Sequence, residues 1–349
     1  MTGDRDVTGS GDESAEATDE EALADDALAD DAIADDTDAF RRYLRAKRTV
    51  DDRALDRRLV GVLGERLADR AAASAGPLRV LEVGAGIGTM VARLIDREVL
   101  PPGETRYVAV DRDAEALAGV GPFLREWATD REGPVSVESA DGDALVVETD
   151  ARTVRVEPVA ADAVAYAAER PGEWDALIGM ALLDVLDLDG LDALLAALGP
   201  GGTYYFPITF DGGTRFRPAH PDDRAVERLY HRHMDEKPGG DSRAGGAALS
   251  RLREADGSTL LAVAGSDWVV RPADGEAGYP ADEAFFVRHI LDTVEEAVGE
   301  VIAADEGDGP LSAGDLDAWL ADRRRRLDAG DLVYLTHQLD LLGRVDGDA

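Results

Sequence analysis

Hydrophobic positions along most of the chain fall into two alternating patterns. Short apolar runs at 78–83, 107–110, 135–138, 174–180 and 203–210 read as strands, and segments with helical spacing lie between most of them. Strands that alternate with helices predict an α/β fold built on a doubly wound, mostly parallel sheet. Between the third and fourth strands, 145–156 reads as an extra hairpin turning around Thr149 to Arg152, with no role assigned. Ahead of the first strand, Tyr43, Leu44, Val50, Leu55, Leu59, Val62, Leu63 and Leu67 recur among charges from Phe40 to about Ala73. That is a helical cap, ended by Gly76-Pro77. Beyond Phe210 a polar stretch rich in Gly, Pro, Asp and Arg runs to about Gly246. It is followed by a helix through Leu249 and Leu252, a strand at 260–270, helical patterns at 282–303 and 314–328, and a late apolar run at 332–336.

The first 38 residues follow neither pattern. They repeat Ala-Leu-Ala-Asp-Asp from Ala22, and a five-residue period advances 500° around a helix, so Leu23, Leu28 and Ile33 share no face. With 15 acids and one base, this segment is expected to be a disordered, solvated tail. The expected organisation is a tail at 1–38, a helical cap at 39–76, a core at 77–210, and a C-terminal part at 211–349 that adds closing strands and helices.

Charge narrows the setting. The chain of 349 residues carries a formal net charge of −36, and only two of its 37 basic residues are lysines, Lys47 and Lys237. The tail accounts for −14, which leaves −22 on the remainder. Self-repulsion of that size strains a compact state in dilute buffer, whereas at molar salt the Debye length falls to about 3 Å. The composition therefore suits a salt-loaded cytoplasm such as that of halophilic archaea. It also argues against nucleic acid phosphates or anionic lipid as partners. With no cysteine, disulfides, thiolate metal sites and cysteine nucleophiles are excluded. An acidic, polar start and the lack of a long apolar run predict a cytoplasmic protein outside the membrane.

The strongest chemical signal is Val80-Leu81-Glu82-Val83-Gly84-Ala85-Gly86-Ile87-Gly88-Thr89-Met90. A strand runs into glycines at alternate positions and then into a helix, a turn that lets a ligand lie on bare backbone near unpaired N–H groups. A dinucleotide fingerprint, G-x-G-x-x-G, would need its third glycine at 89, where Thr89 stands. The second strand ends in Asp111, 23 residues past Gly88, where a carboxylate at a strand tip can accept hydrogen bonds from ribose hydroxyls. Asp141-Gly142-Asp143 follows the third strand, and the fourth runs through Met180 into Ala181-Leu182-Leu183-Asp184.

In order and spacing these elements resemble the class I S-adenosylmethionine-dependent methyltransferases over about residues 77–210. The resemblance implies a seven-stranded Rossmann-like sheet whose last strand inserts antiparallel. It further implies S-adenosylmethionine as cofactor, held by Glu82, Gly84, Ala85, Gly86, Gly88, Asp111, Arg112, Asp141, Gly142, Asp143 and Met180, with Asp143 preferred over Asp141 for the adenine amine. Methyl transfer by in-line displacement needs mainly alignment, and a base only where the nucleophile carries a proton. Candidate bases are Asp184, Tyr43, Asp211 and Tyr204. In place of the Asn/Asp-Pro-Pro-aromatic tetrad of enzymes that methylate base amines, the chain has Ala181 to Asp184.

A small-molecule acceptor is the expected partner. The alternatives are a tRNA or rRNA methyltransferase, a non-catalytic protein that binds S-adenosylmethionine or a partner, and an NAD-dependent oxidoreductase, which Thr89 disfavours. His231 and His233 are spaced i,i+2 and would face apart on a helix, so no metal is expected. The basic run Arg323 to Arg326 falls near a helix C-terminus and among acids, where ion pairs are the simpler role. Lys47 lies in a polar helical segment before the core, where a solvated helix face is expected, and Trp268 lies in an otherwise apolar strand, where a core role is expected.

Overall fold

A computed structural model describes residues 38–273, 278–305 and 309–347, so the tail expected at 1–38 lies outside the described residues except for Asp38, which is helical. The chain forms two compact units, 1–42 and 43–349; of the first, residues 38–42 are described and are helical. In the second, helix α1 (43–54) leads into α2 (Arg57–Ala73), whose N-terminus is capped by the Asp56 carboxylate accepting from the Leu59 N–H. There follow β1 (Leu78–Val83), α3 (Thr89–Asp96), β2 (Gly103–Asp111), α4 (Ala114–Ala118), α5 (Val120–Asp130), β3 (Val135–Ser139), β4 (Leu145–Thr149) and β5 (Arg152–Ala160). Next come α6 (Ala163–Ala168), β6 (Trp174–Ile178), a single 3-10 turn at Leu188–Gly190, α7 (Leu191–Ala196), β7 (Leu198–Phe210) and β8 (Arg215–Arg217). The chain finishes with α8 (Asp223–Glu236), α9 (Ala244–Glu254), β9 (Ser258–Gly265), β10 (Val269–Val270), α10 (Glu283–Ala304), α11 (Ala313–Asp328), β11 (Val333–Leu335) and β12 (Gln338–Val345).

Nine strands make one sheet in the order β3-β4-β5-β2-β1-β6-β7-β12-β9, and β10-β11-β8 make a small antiparallel second one. Only β4 and β12 run against the other seven strands of the main sheet. The period-2 alternation of apolar side chains divides the core into two layers. Val80, Tyr107, Ala176 and Tyr205 face one layer, shared with α2, α3 and α5; Leu81, Val108, Leu177 and Phe206 face the other, shared with α6, α7 and α9.

Five sequence expectations are corrected here. The sheet has nine strands rather than seven. The hairpin at 145–156 is no appendage: its second arm is β5, which pairs in parallel with β2 over nine residues, whereas β3 lies at the sheet edge. The late run at 332–336 falls in the small sheet, and the closing strand of the main sheet is β12, seated antiparallel between β7 and β9. Charge hid β12, because Asp340 interrupts its apolar run. The strand expected at 260–270 divides between the two sheets as β9 and β10, and the polar stretch 211–246 contains β8 and α8.

Asp340 explains a local oddity. Thr209 pairs with Leu339 and Phe206 with Leu341, so β7 carries one extra residue, a bulge. Ile208 in that bulge has φ 57°, a strained value for a β-branched residue. Its displaced N–H donates to Asp340 Oδ1 at 3.0 Å, while Asp340 Oδ2 accepts from Tyr205 Oη and the Asp56 N–H, each at 3.0 Å.

Candidate functional site

The parallel strands β1, β2, β5, β6 and β7 share a C-terminal edge, and the glycine turn lies at its centre. Gly84 (φ 70°) and Gly86 (φ 53°) take left-handed backbone that other residues rarely adopt. A Cβ on Gly84 would stand 2.9 Å from Leu182 Cδ1, and one on Gly86 3.2 Å from Leu44 Cδ1, so the bare turn is approached from the loop after β6 and from α1. Asp111 Oδ2 accepts from the Gly86 N–H at 2.8 Å and Oδ1 from the Asp113 N–H at 3.0 Å, locking the turn to the tip of β2. Ala85 N–H bonds Val110 O at 3.1 Å. Helix α3 starts at Gly88 without a side-chain cap, which leaves its first N–H groups to a ligand or to water. Arg112, just past Asp111, is exposed.

Beneath the turn is a buried charge network. Glu82 is 2% exposed and accepts from Tyr107 Oη at 2.8 Å. Burial pushes its carboxyl up to about 8, against the opposing pull of that hydrogen bond and of Arg93. Arg93 is also 2% exposed; burial works against its charge, but Asp52 and Asp51 outweigh this and raise its pKa. Its Nε donates to Asp52 Oδ1 at 2.5 Å and another nitrogen to Met180 Sδ at 3.2 Å. Lys47 Nζ reaches the Asp51 oxygens at 2.8 and 3.0 Å and lies 5.0 Å from the Trp268 ring centre; Trp268 Nε1 donates to Asp51 Oδ1 at 3.0 Å. Trp268 is in the core as expected, whereas Lys47 does not lie on a solvated face: its ion pair with Asp51 buries it in the network that fastens α1 across the sheet edge.

The loop after β6 bends through Ala181, a non-glycine at φ 49°, held by its N–H on Pro207 O at 3.0 Å. Asp184 follows. Its Oδ1 is buried with no hydrogen-bond partner among the described residues. Burial pushes its carboxyl up to about 6, opposed by a backbone hydrogen bond and by Lys47. Tyr43 from α1 and Tyr230 from α8 both feel the Asp184 charge; burial raises both phenols, Tyr230 to about 12. Tyr43 also stacks on Phe286 at 5.5 Å and on His289 at 4.2 Å between ring centres.

The remaining expected residues lie elsewhere. Asp141, Gly142 and Asp143 form the β3–β4 turn, two strands out from β2, where Gly142 and Asp143 line a cavity of about 470 Å³ with Leu117, Arg125 and Ala160. Two residues past the end of β5, the strand beside β2, stands Asp162, whose carboxylate accepts from the Ala165 N–H at 2.8 Å as the cap of α6. Sequence reasoning passed over Val159-Ala160-Ala161-Asp162 because 145–156 read as an insertion. Asp211 accepts from the Gly246 N–H at 2.8 Å at the start of α9, and Tyr204 Oη lies 3.0 Å from Ser258 Oγ, toward the opposite end of β7. His231 contacts Thr214 and His233 contacts Glu300, so the two do not converge. Arg324, Arg325 and Arg326 pair with Asp292, Glu295, Asp322 and Asp331, while the buried Arg323 donates to Pro218 O at 2.6 Å.

No family model and no curated protein matches the chain. Among solved structures it is similar to a candidate methyltransferase of Bacillus halodurans (14% identity, 81% of this chain and 98% of that one, TM-score 0.43). It is also similar to S-adenosylmethionine-dependent methyltransferases of Geobacter sulfurreducens (14%, 84% and 92%, TM-score 0.39) and Thiobacillus denitrificans (13%, 84% and 92%, TM-score 0.37). Both of these were solved with S-adenosyl-L-homocysteine.

Proposed function

We propose that the chain is an S-adenosylmethionine-dependent methyltransferase acting on a small molecule in a salt-rich cytoplasm. The observation that carries this reading is the bare glycine turn at the end of β1, locked by its own Gly86 N–H to the Asp111 carboxylate at the tip of β2. The residues fit the cofactor. Gly84 and Gly86 hold left-handed backbone, a Cβ there would crowd the ends of Leu182 and Leu44, and the uncapped start of α3 offers N–H groups beside the turn. In this reading Gly84, Ala85, Gly86 and Gly88 receive the cofactor on backbone, Asp111 accepts from the ribose hydroxyls, and Met180 stands near the methionine end. Asp162, two residues past the strand beside β2, joins Asp141, Gly142 and Asp143 as a candidate for the adenine side. When bound, the cofactor supplies an electrophilic methyl carbon on a sulfonium. The chain's task is to align an acceptor behind that carbon and keep water away, which Leu44, Leu182 and the α1 network are placed to do.

The order β5-β2-β1-β6-β7-β9 follows the dinucleotide-binding sheet, but β12 is wedged antiparallel between its last two strands, and Gly88 replaces a glycine at 89. Both features favour S-adenosylmethionine over NAD. The neutralised arginine run favours a small acceptor over RNA. Binding of labelled S-adenosylmethionine to wild type, Gly86→Val and Asp111→Ala in molar KCl tests the site. Loss of at least about tenfold affinity in each variant is expected, and unchanged affinity in both contradicts it.

A further inference from the structure

The structure assigns Asp184, flanked by Tyr43 and Tyr230, as the group that receives the acceptor, and the acceptor as an amine whose nitrogen is methylated; this rests on the methyltransferase reading above. Two contacts tie the segments that carry Asp184 and Tyr43 to the glycine turn. Leu182, two residues before it, covers Gly84, and Leu44, next to Tyr43 on α1, covers Gly86. The segment that carries Asp184 therefore packs on the turn where the cofactor would lie, just past the strained Ala181 at the end of β6, where functional groups are commonly held.

What the site lacks defines its ligand. A buried carboxylate oxygen without a donor is costly, and such an atom in a folded protein calls for an explanation. Lys47, the cation that acts on Asp184, is bound to both oxygens of Asp51. Tyr43, which feels the Asp184 charge, is itself held by ring contacts with Phe286 and His289. A buried anion whose oxygen lacks a donor favours a cation or an N–H donor and disfavours carboxylate and phosphate groups.

The chemistry balances. An ammonium acceptor gives one proton to Asp184, and the freed nitrogen lone pair attacks the methyl carbon. A carbon–nitrogen bond forms as the carbon–sulfur bond breaks, its electron pair returning to sulfur to give the neutral thioether. The positive charge ends on the methylated nitrogen, and the Asp184 proton leaves to water. Burial sets the Asp184 carboxyl at about 6. Proton transfer to it from an alkylammonium near ~10 is uphill by about four pKa units, against roughly ten for a hydroxyl as weakly acidic as water. An alcohol is thus poorly served, whereas an ammonium both yields its proton more readily and brings the positive charge and N–H donors that the unpartnered Oδ1 lacks, which selects nitrogen.

The test uses the full chain in molar KCl with S-adenosylmethionine bearing a trideuterated methyl group. Calorimetric titration comes first, and failure of the wild type to bind the cofactor defeats the methyltransferase reading itself. With binding present, the labelled cofactor is incubated with a deproteinised, nucleic-acid-free extract of cells grown in molar salt, and products are read by mass spectrometry. Label on nitrogen is expected, with Asp184→Asn slowing transfer by at least about 100-fold while its affinity for the cofactor stays within about threefold of wild type. Label on oxygen, carbon or sulfur, no labelled product from a protein that binds the cofactor, or full transfer by Asp184→Asn each overturns the proposal.

Discussion

Glu82 and Asp340 show how single buried carboxyls shape this site. The folded-state pKa of Glu82 stands at about 8 against an ordinary 4.5, so the folded protein holds its proton more tightly than the unfolded chain. The stability this contributes is complete below about 4.5 and is lost as pH rises through about 8. Asp184 and Asp340 are raised as well and act with the same sign. Denaturant unfolding at fixed molar KCl should therefore show stability falling from pH 5 to pH 8.5. Glu82→Gln should flatten that fall by a few kcal/mol, and an equal slope in wild type and variant counts against a protonated Glu82. At Asp340 the prediction is a loss. Asp340→Ala strands the Tyr205 hydroxyl and the Ile208 and Asp56 N–H groups, which should cost on the order of 3 kcal/mol in the same measurement. A cost below about 1 kcal/mol would mean that water replaces the carboxylate.

Among the elements, α1 is the piece that completes the site. It brings Leu44 to the glycine turn, Tyr43 toward Asp184, and the Lys47–Asp51 pair to Trp268 and Arg93. Removing one partner of a buried pair leaves a bare charge, so Lys47→Ala should destabilise the docking of α1 by about 3 kcal/mol. Hydrogen exchange should then quicken across 43–54 while β1 and β2 keep their protection. Uniform acceleration over the sheet would show instead that α1 is part of one cooperative unit. The sequence displayed β1, β2, β6, β7 and the glycine turn because each is a dense apolar run with clear punctuation. It concealed β5 and β12, whose charged positions, Arg155 and Glu157 in one and Asp340 in the other, break the pattern while finding partners in the fold. Hence Asp111 could be placed from spacing alone, whereas Asp162 needed the sheet order. The constellation of Asp184, Tyr43 and Tyr230 joins three distant segments, which no local pattern can announce.

For the whole molecule, charge sets the working conditions. The −22 borne outside the first 38 residues already counts every arginine, so the ion pairs leave that excess of negative charge unbalanced. Raising KCl from about 0.1 M to about 2 M shortens the Debye length from roughly 10 Å to a few ångströms and should stabilise the fold substantially. A midpoint of thermal unfolding that does not rise over that range would contradict a salt-adapted protein. Among the described residues no helix is long and apolar enough to cross a membrane. The central claim is the identity of the ligand on the glycine turn, and calorimetric titration of the wild-type chain with S-adenosylmethionine and, separately, with NAD in molar KCl tests it most directly. One-to-one binding of S-adenosylmethionine with no heat from NAD is the predicted result, and binding of NAD alone would contradict the account.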